Sequence, residues 1–169
     1  MERYSWKGPN SLIWLNIGKA ITKGEQTRRK IVEAGAPIFN KRGYEGSSLS
    51  ELMEATGLKK EGIYCHFASK EELAAEAIDY TWEAAWKARL LHIDEQANGI
   101  DKLKELIANF RERRSPVPGG CPVLNTAVDA DDGNPILRSR VGKALRVMDR
   151  PPAGLRGRSS AAARRKTRH

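Results

Sequence analysis

The sequence has only two cysteines, Cys65 and Cys121, and no CxxC pair, which is too little for a disulfide framework or a four-thiolate zinc site and fits a reduced compartment. It also lacks a phosphate-cradling GxxxxGK(S/T), an HExxH and a GxSxG, and one of its three histidines is terminal. No enzyme, metal site or cofactor is therefore expected. Long apolar runs are missing too. The longest candidate, Leu12 to Ile17, is six residues broken by Asn16, against roughly 18 for a spanning helix. It has neither a basic leader nor a small-residue cleavage site after it, so the expected location is the cytoplasm. Aromatics make up 7% and hydrophobic residues 40% of 169 positions, enough for a modest core in one domain or a module joined to another.

Acidic residues are scarce at both ends. Residues 1–70 hold 12 Lys+Arg against 7 Asp+Glu, residues 71–145 hold 10 against 13, and residues 146–169 hold 8 against 1, within a formal net charge of +9. A basic N-terminal part suits a phosphate-backbone binder, whereas the acidic middle would be repelled by nucleic acid and must serve another purpose.

What is present reads as helix throughout, with no alternating strand, βαβ unit or internal repeat. Residues 1–22 mix isolated aromatics with Gly8, Pro9 and Gly18 and read as a flexible extension. From Lys23, apolar residues fall on one face at Ile31, Gly35, Ile38 and Phe39, and Gly43 ends the helix; Pro37 inside it predicts a kink. Ser48 with Glu51 is a capping box opening a short helix that stops at Gly57. Lys59 to Tyr64 is a short basic segment with Ile63 and Phe67 as inward candidates. A second capping box, Ser69 with Glu72, opens a long helix to about Leu91. Another amphipathic helix carries Ile100, Leu103, Ile107 and Phe110 and is terminated by Pro116 and Pro118. A short helix over Val123–Val128 and one capped by Asn134-Pro135, with Leu137, Val141, Ala144, Leu145 and Met148 on one side, complete the pattern.

Helix, glycine turn and short basic helix over Leu49–Phe67 is the arithmetic of a helix-turn-helix, whose second helix enters the major groove. The segment from Gly46 to Leu73, with Gly62-Ile63-Tyr64, His66-Phe67 and Ser69-Lys70-Glu71 as its most specific part, resembles the DNA-binding signature of TetR-type bacterial transcriptional regulators. The likeness covers about residues 25–80, and Gly120 to Asp132 followed by Pro135 is similar to the ligand-domain segment of one subgroup. The resemblance implies an all-α repressor: three N-terminal helices on duplex DNA at a palindromic operator, then a helical domain that binds a small effector and forms a homodimer. The expected organisation is thus an extension over 1–22, a helix-turn-helix domain over 23–68, a partial effector domain over 69–148 and a disordered basic tail over 149–169.

Candidate DNA contacts lie on and around these helices. Lys59 and Lys60 stand at the exposed start of the third helix, within reach of guanine edges or phosphates. Tyr64 and His66 resemble the family's phosphate-contacting residues; the alternatives are a Tyr64 ring packed in the small core, which still leaves its hydroxyl free to reach out, and a structural histidine. Lys70 lies in the first turn of a capped helix, where free N–H groups already favour phosphate. Ser47 and Ser48 stand at the start of the second helix, where Ser48 is also its cap. Cys65 departs from the basic or polar residue usual there.

In the middle region Tyr80, Trp82, Trp86, Phe110, Cys121 and Leu124 are the candidates for an apolar effector pocket. A Cys121/His92 pair is the enzymatic alternative, and a basic architectural or RNA-binding protein acting through the arginine-rich tail is a third. Apolar periodicity stops near Met148 and Pro151-Pro152 comes next. Two further helices would make a family dimer, so the sequence predicts a truncated or out-of-frame C-terminal part, impaired dimerisation and exposed apolar surface on the middle helices.

Overall fold

The computed structural model describes residues 21–130 and 133–149. The expectations for most of the N-terminal extension and for nearly all of the basic tail fall outside those residues. The chain is all-α, with α1 (Lys23–Arg42), α2 (Leu49–Thr56), α3 (Lys60–Tyr64), α4 (Lys70–Arg89), a 3-10 turn (Ile93–Glu95), α5 (Gly99–Glu112), α6 (Pro122–Asp129) and α7 (Pro135–Met148). No strand occurs among the described residues.

Helix ends are set by side chains that satisfy the free N–H groups of the first turn. Thr22 and Glu25 form a capping box at α1 that the sequence reading passes over, and Ser48 and Glu51 form the expected one at α2. The box expected at α4 is half made. Ser69 accepts the Glu72 N–H, but the Glu72 carboxylate turns away to the Ala68 N–H and to Arg28. Asn98 caps α5, and Asn134 with Pro135 at the first position opens α7. Pro37 lies inside α1, which runs from Lys23 to Arg42 as one helix. The long helix ends at Arg89, two residues early, as Leu90 closes it and His92 adopts a positive φ of 61°. Leu91, the expected end of the helix, is exposed.

One core joins the helix-turn-helix to the C-terminal helices. Ile31, Val32, Ala36 and Phe39 of α1 pack with Leu52 of α2, Ile63 of α3, Phe67, and Leu73, Ala74 and Ala77 of α4. Val117, Ala130 and Leu137 belong to the same cluster. Each fully buried Leu, Ile or Phe here contributes roughly 1.5–3 kcal/mol. A second cluster of Trp82, Val123, Val141 and Ala144 holds α4 against α6 and α7. The packing therefore continues across residue 68.

The exposed apolar surface expected on the middle helices is present on α5, where Ile100, Leu103, Ile107 and Phe110 are all exposed and the residue buried is Asn109. The Asn109 amide donates to the carbonyls of Arg89 and Leu91 at 3.1 and 2.8 Å, which fixes α5 beneath the end of α4 by its polar side.

Candidate nucleic-acid interface

The turn between α2 and α3 is made by Gly57, whose φ of 68° and ψ of 13° put it in the left-handed region that favours glycine. α3 is only five residues long, too short to persist alone. It is held because Ile63 and Phe67 are each 1% exposed in the core. Those anchors turn the opposite side outward, where Lys59, Lys60, Glu61, Tyr64 and Cys65 are exposed. Lys60 Nζ lies 6.0 Å from the centre of the Tyr64 ring, so the ammonium and the phenol share one surface. His66 is half-buried at the exit of α3, and its carbonyl accepts a hydrogen bond from Arg28.

Three sequence candidates have other partners. Ser47 is buried and its hydroxyl donates to the Gly43 carbonyl, so it ties off the end of α1 and is closed to a ligand, a correction to its reading as a surface contact. Capping occupies Ser48, whose N–H and hydroxyl both donate to Glu51 Oε2 at 3.0 Å. Lys70 does stand at the start of α4, but Nζ donates to the Tyr44 carbonyl at 2.6 Å and lies 4.4 Å from the Tyr44 ring centre. An ammonium has three N–H donors, so capacity for a phosphate remains.

Arg28, which no local sequence signal singles out, contacts Glu72, Glu76, the His66 carbonyl and the Phe67 ring, and thereby binds α1 to the corner between α3 and α4. Burial disfavours the Arg28 charge, but the hydrogen bonds and charges of Glu76 and Glu72 outweigh it and raise the guanidinium pKa. Burial likewise pushes the Glu72 carboxyl up, and the Arg28 and Ala68 hydrogen bonds bring it below its ordinary value. A long polar residue a few positions before an apolar one is ordinary in a helix, so nothing in the local pattern marks it.

A turn glycine, two short helices meeting on a common core, and an outward basic-phenolic surface on the second of them make a helix-turn-helix. Residues 31–77 match the family model described as bacterial regulatory proteins, tetR family, and residues 99–154 match the tetracyclin repressor-like C-terminal domain. The chain belongs to the TetR family. It is similar to a TetR-family regulator from Cytophaga hutchinsonii, with a TM-score of 0.72 and 34% identity over 76% of this chain and 66% of that one. A TetR regulator from Chloroflexus aurantiacus gives 0.69 and 42% identity over 75% of this chain and 65% of that one. The A-factor receptor protein of Streptomyces griseus is 43% identical over 54 residues, 32% of this chain and 20% of the receptor. The chain thus spans under two thirds of the length of these relatives, and only a fifth of the receptor.

From α4 onward in this TetR-family chain, the six side chains expected in one effector pocket are not brought together. Trp82 and Trp86 stack with ring centres 5.2 Å apart in the second core cluster, and the Trp86 indole N–H is buried with no acceptor among the described residues. Tyr80 packs half-buried against the first cluster. Phe110 is exposed beneath Arg89, whose guanidinium lies 5.0 Å from the ring centre. Cys121 and Leu124 are exposed as well, and His92 Nδ1 is 2.9 Å from Glu95. An open groove of about 410 Å³ runs between Asn40–Gly43 and α6, and of the six only Leu124 lines it. Among the described residues no cluster of His, Cys, Asp and Glu could hold a metal ion, and no helix is long and apolar enough to cross a membrane.

Proposed function

We propose that this chain is a sequence-specific DNA-binding transcriptional regulator, a repressor released by a small apolar effector, and not an enzyme. The observation that carries the reading is the outward surface of α3, where Lys59, Lys60 and Tyr64 project from a helix rooted by Ile63 and Phe67. A helix so presented fits the major groove, with Lys60 at base edges and Lys59, Tyr64, His66 and Lys70 at phosphates. Ser48, at the start of α2, serves as its cap, and a phosphate would have to displace Glu51 to reach its donors. Two such helices about 34 Å apart read a palindromic operator, so tight operator binding calls for a homodimer, and the impaired dimerisation expected for this chain weakens it.

The effector reading is supported by the stacked Trp82 and Trp86, where the indole N–H without an acceptor suits an apolar molecule carrying one oxygen. The experiment is selection of duplexes from a random pool by the full chain, with affinity then measured over a range of salt. A selected duplex bound far more tightly than random DNA, with a steep salt dependence, is the expected result. Equal affinity for both overturns the reading.

A further inference from the structure

We infer that Arg28 is a positioning residue for DNA recognition, fixing the angle at which α3 is presented by clamping the exit of α3 to the first turns of α4. The inference rests on the DNA-binding reading above and deepens it. Arg28 Nε and Nη2 donate to the two carboxylate oxygens of Glu76, at 3.2 and 2.5 Å. Nη2 also donates to Glu72 Oε1 at 2.7 Å, and Nη1 donates to the His66 carbonyl. The guanidinium carbon lies 4.1 Å from the centre of the Phe67 ring. The second oxygen of Glu72 accepts the Ala68 N–H at 2.6 Å, closing the ring of contacts around residues 66–72.

These contacts join three pieces of chain through one side chain on α1. The five residues of α3 take their orientation from whatever holds them. Ile63 and Phe67 supply apolar burial, which is strong but non-directional and leaves the helix free to pivot about its anchors. Directional restraint comes from the bonds of a planar guanidinium, whose donors point along fixed axes. The Arg28 side chain is 18% exposed and that of Glu76 is 5% exposed, so water competes little for these bonds. Any tilt of α4 carries Glu72 and Glu76, with them Arg28, and so displaces His66 and Phe67. A lysine at position 28 would keep the charge, but its three N–H groups leave a single nitrogen and cannot reproduce four bonds that leave Nε, Nη1 and Nη2 at separate points of a planar guanidinium.

The test uses the full chain, a duplex selected by the wild type and a random duplex of equal length, with Arg28→Lys and Glu72→Gln as variants. Arg28→Lys is expected to lose about tenfold in affinity for the selected duplex while random-duplex affinity stays within about twofold. The slope of log K against log[salt] is expected to be unchanged, because no phosphate contact is removed. Amide exchange at Ala68 is expected to accelerate in both variants. If Arg28→Lys does not fold, Glu72→Gln decides the matter, since its side chain is 40% exposed and the amide keeps one acceptor. A fall in its selected-to-random ratio supports the inference. An unchanged ratio in a folded variant, or equal loss on both duplexes, overturns it. A wild type that discriminates no duplex overturns the DNA-binding reading and this inference with it, whereas a discriminating wild type with an unaltered variant ratio overturns this inference alone.

Discussion

The Lys70 ammonium sits 2.6 Å from the Tyr44 carbonyl oxygen and 4.4 Å from the centre of the Tyr44 ring, so the first residue of α4 grips the turn after α1. The same turn is held from the other side, where the Tyr44 N–H donates to Asp129 Oδ2 of α6 at 2.6 Å. Lys70 therefore has a structural partner and, on the DNA-binding reading, a phosphate as well. Lys70→Ala is expected to weaken binding to every duplex and to flatten the log K against log[salt] slope by about one. It should also cost about 1 kcal/mol of stability through the lost cation–π contact and hydrogen bond, read by urea unfolding.

Among the described residues Lys60 has no such second partner beyond the Tyr64 ring. Lys60→Ala is expected to narrow the gap between selected and scrambled duplexes, each lost base contact being worth about 1–3 kcal/mol, with little change in melting temperature. A competition titration of the two duplexes reads this directly.

Two glycines at positive φ should respond differently to alanine. At Gly43, φ is 72° and an added Cβ would lie 2.4 Å from Asp129 Oδ1, so strain and a clash combine. At Gly57, φ is 68° and nothing lies within 4 Å. Gly57→Ala is expected to cost about 1 kcal/mol and Gly43→Ala about 2–3 kcal/mol, measured by urea unfolding.

Asp79 of α4 pairs with Arg140 of α7. Its carboxyl is pushed up to about 7, because burial outweighs the attraction of Arg140 and Lys143 and the neighbouring Glu76 and Glu83 add to the rise. The folded state thus holds a proton that the unfolded chain releases near pH 4, so this group lowers stability as pH rises from about 4 to about 7 and has no further effect above that. Burial raises Glu83 as well, adding to the same trend. Asp79→Asn is expected to flatten the fall in melting temperature between pH 4 and pH 7. An unchanged profile would show that Asp79 does not titrate in that range.

The apolar side chains of α5 contribute little to the fold as described. Ile107→Glu with Leu103→Lys is expected to leave the melting temperature within about 2 °C and to reduce self-association in sedimentation velocity, because the replaced groups are 58% and 49% exposed.

Local sequence is enough for the all-α class, the short helix from the Ser48 cap to Gly57, the turn after it, and the pair Ile63 and Phe67 that turns Lys59, Lys60 and Tyr64 outward. These features depend on local chemistry: caps, glycine conformations and the 3.6-residue period act within a few positions. Tertiary structure alone decided which donors were still available. Ser47 and Lys70 look alike to a local reading, yet one hydroxyl is buried on the Gly43 carbonyl and the other side chain bends onto Tyr44. It also decided that Asn109 is the residue of α5 that is buried, on the carbonyls of Arg89 and Leu91, since periodicity shows that a helix has two faces without showing what covers either. Arg28 is the sharpest case. Its partners lie 38 to 48 residues away, and only the packing of α1 against α4 brings them within hydrogen-bond distance.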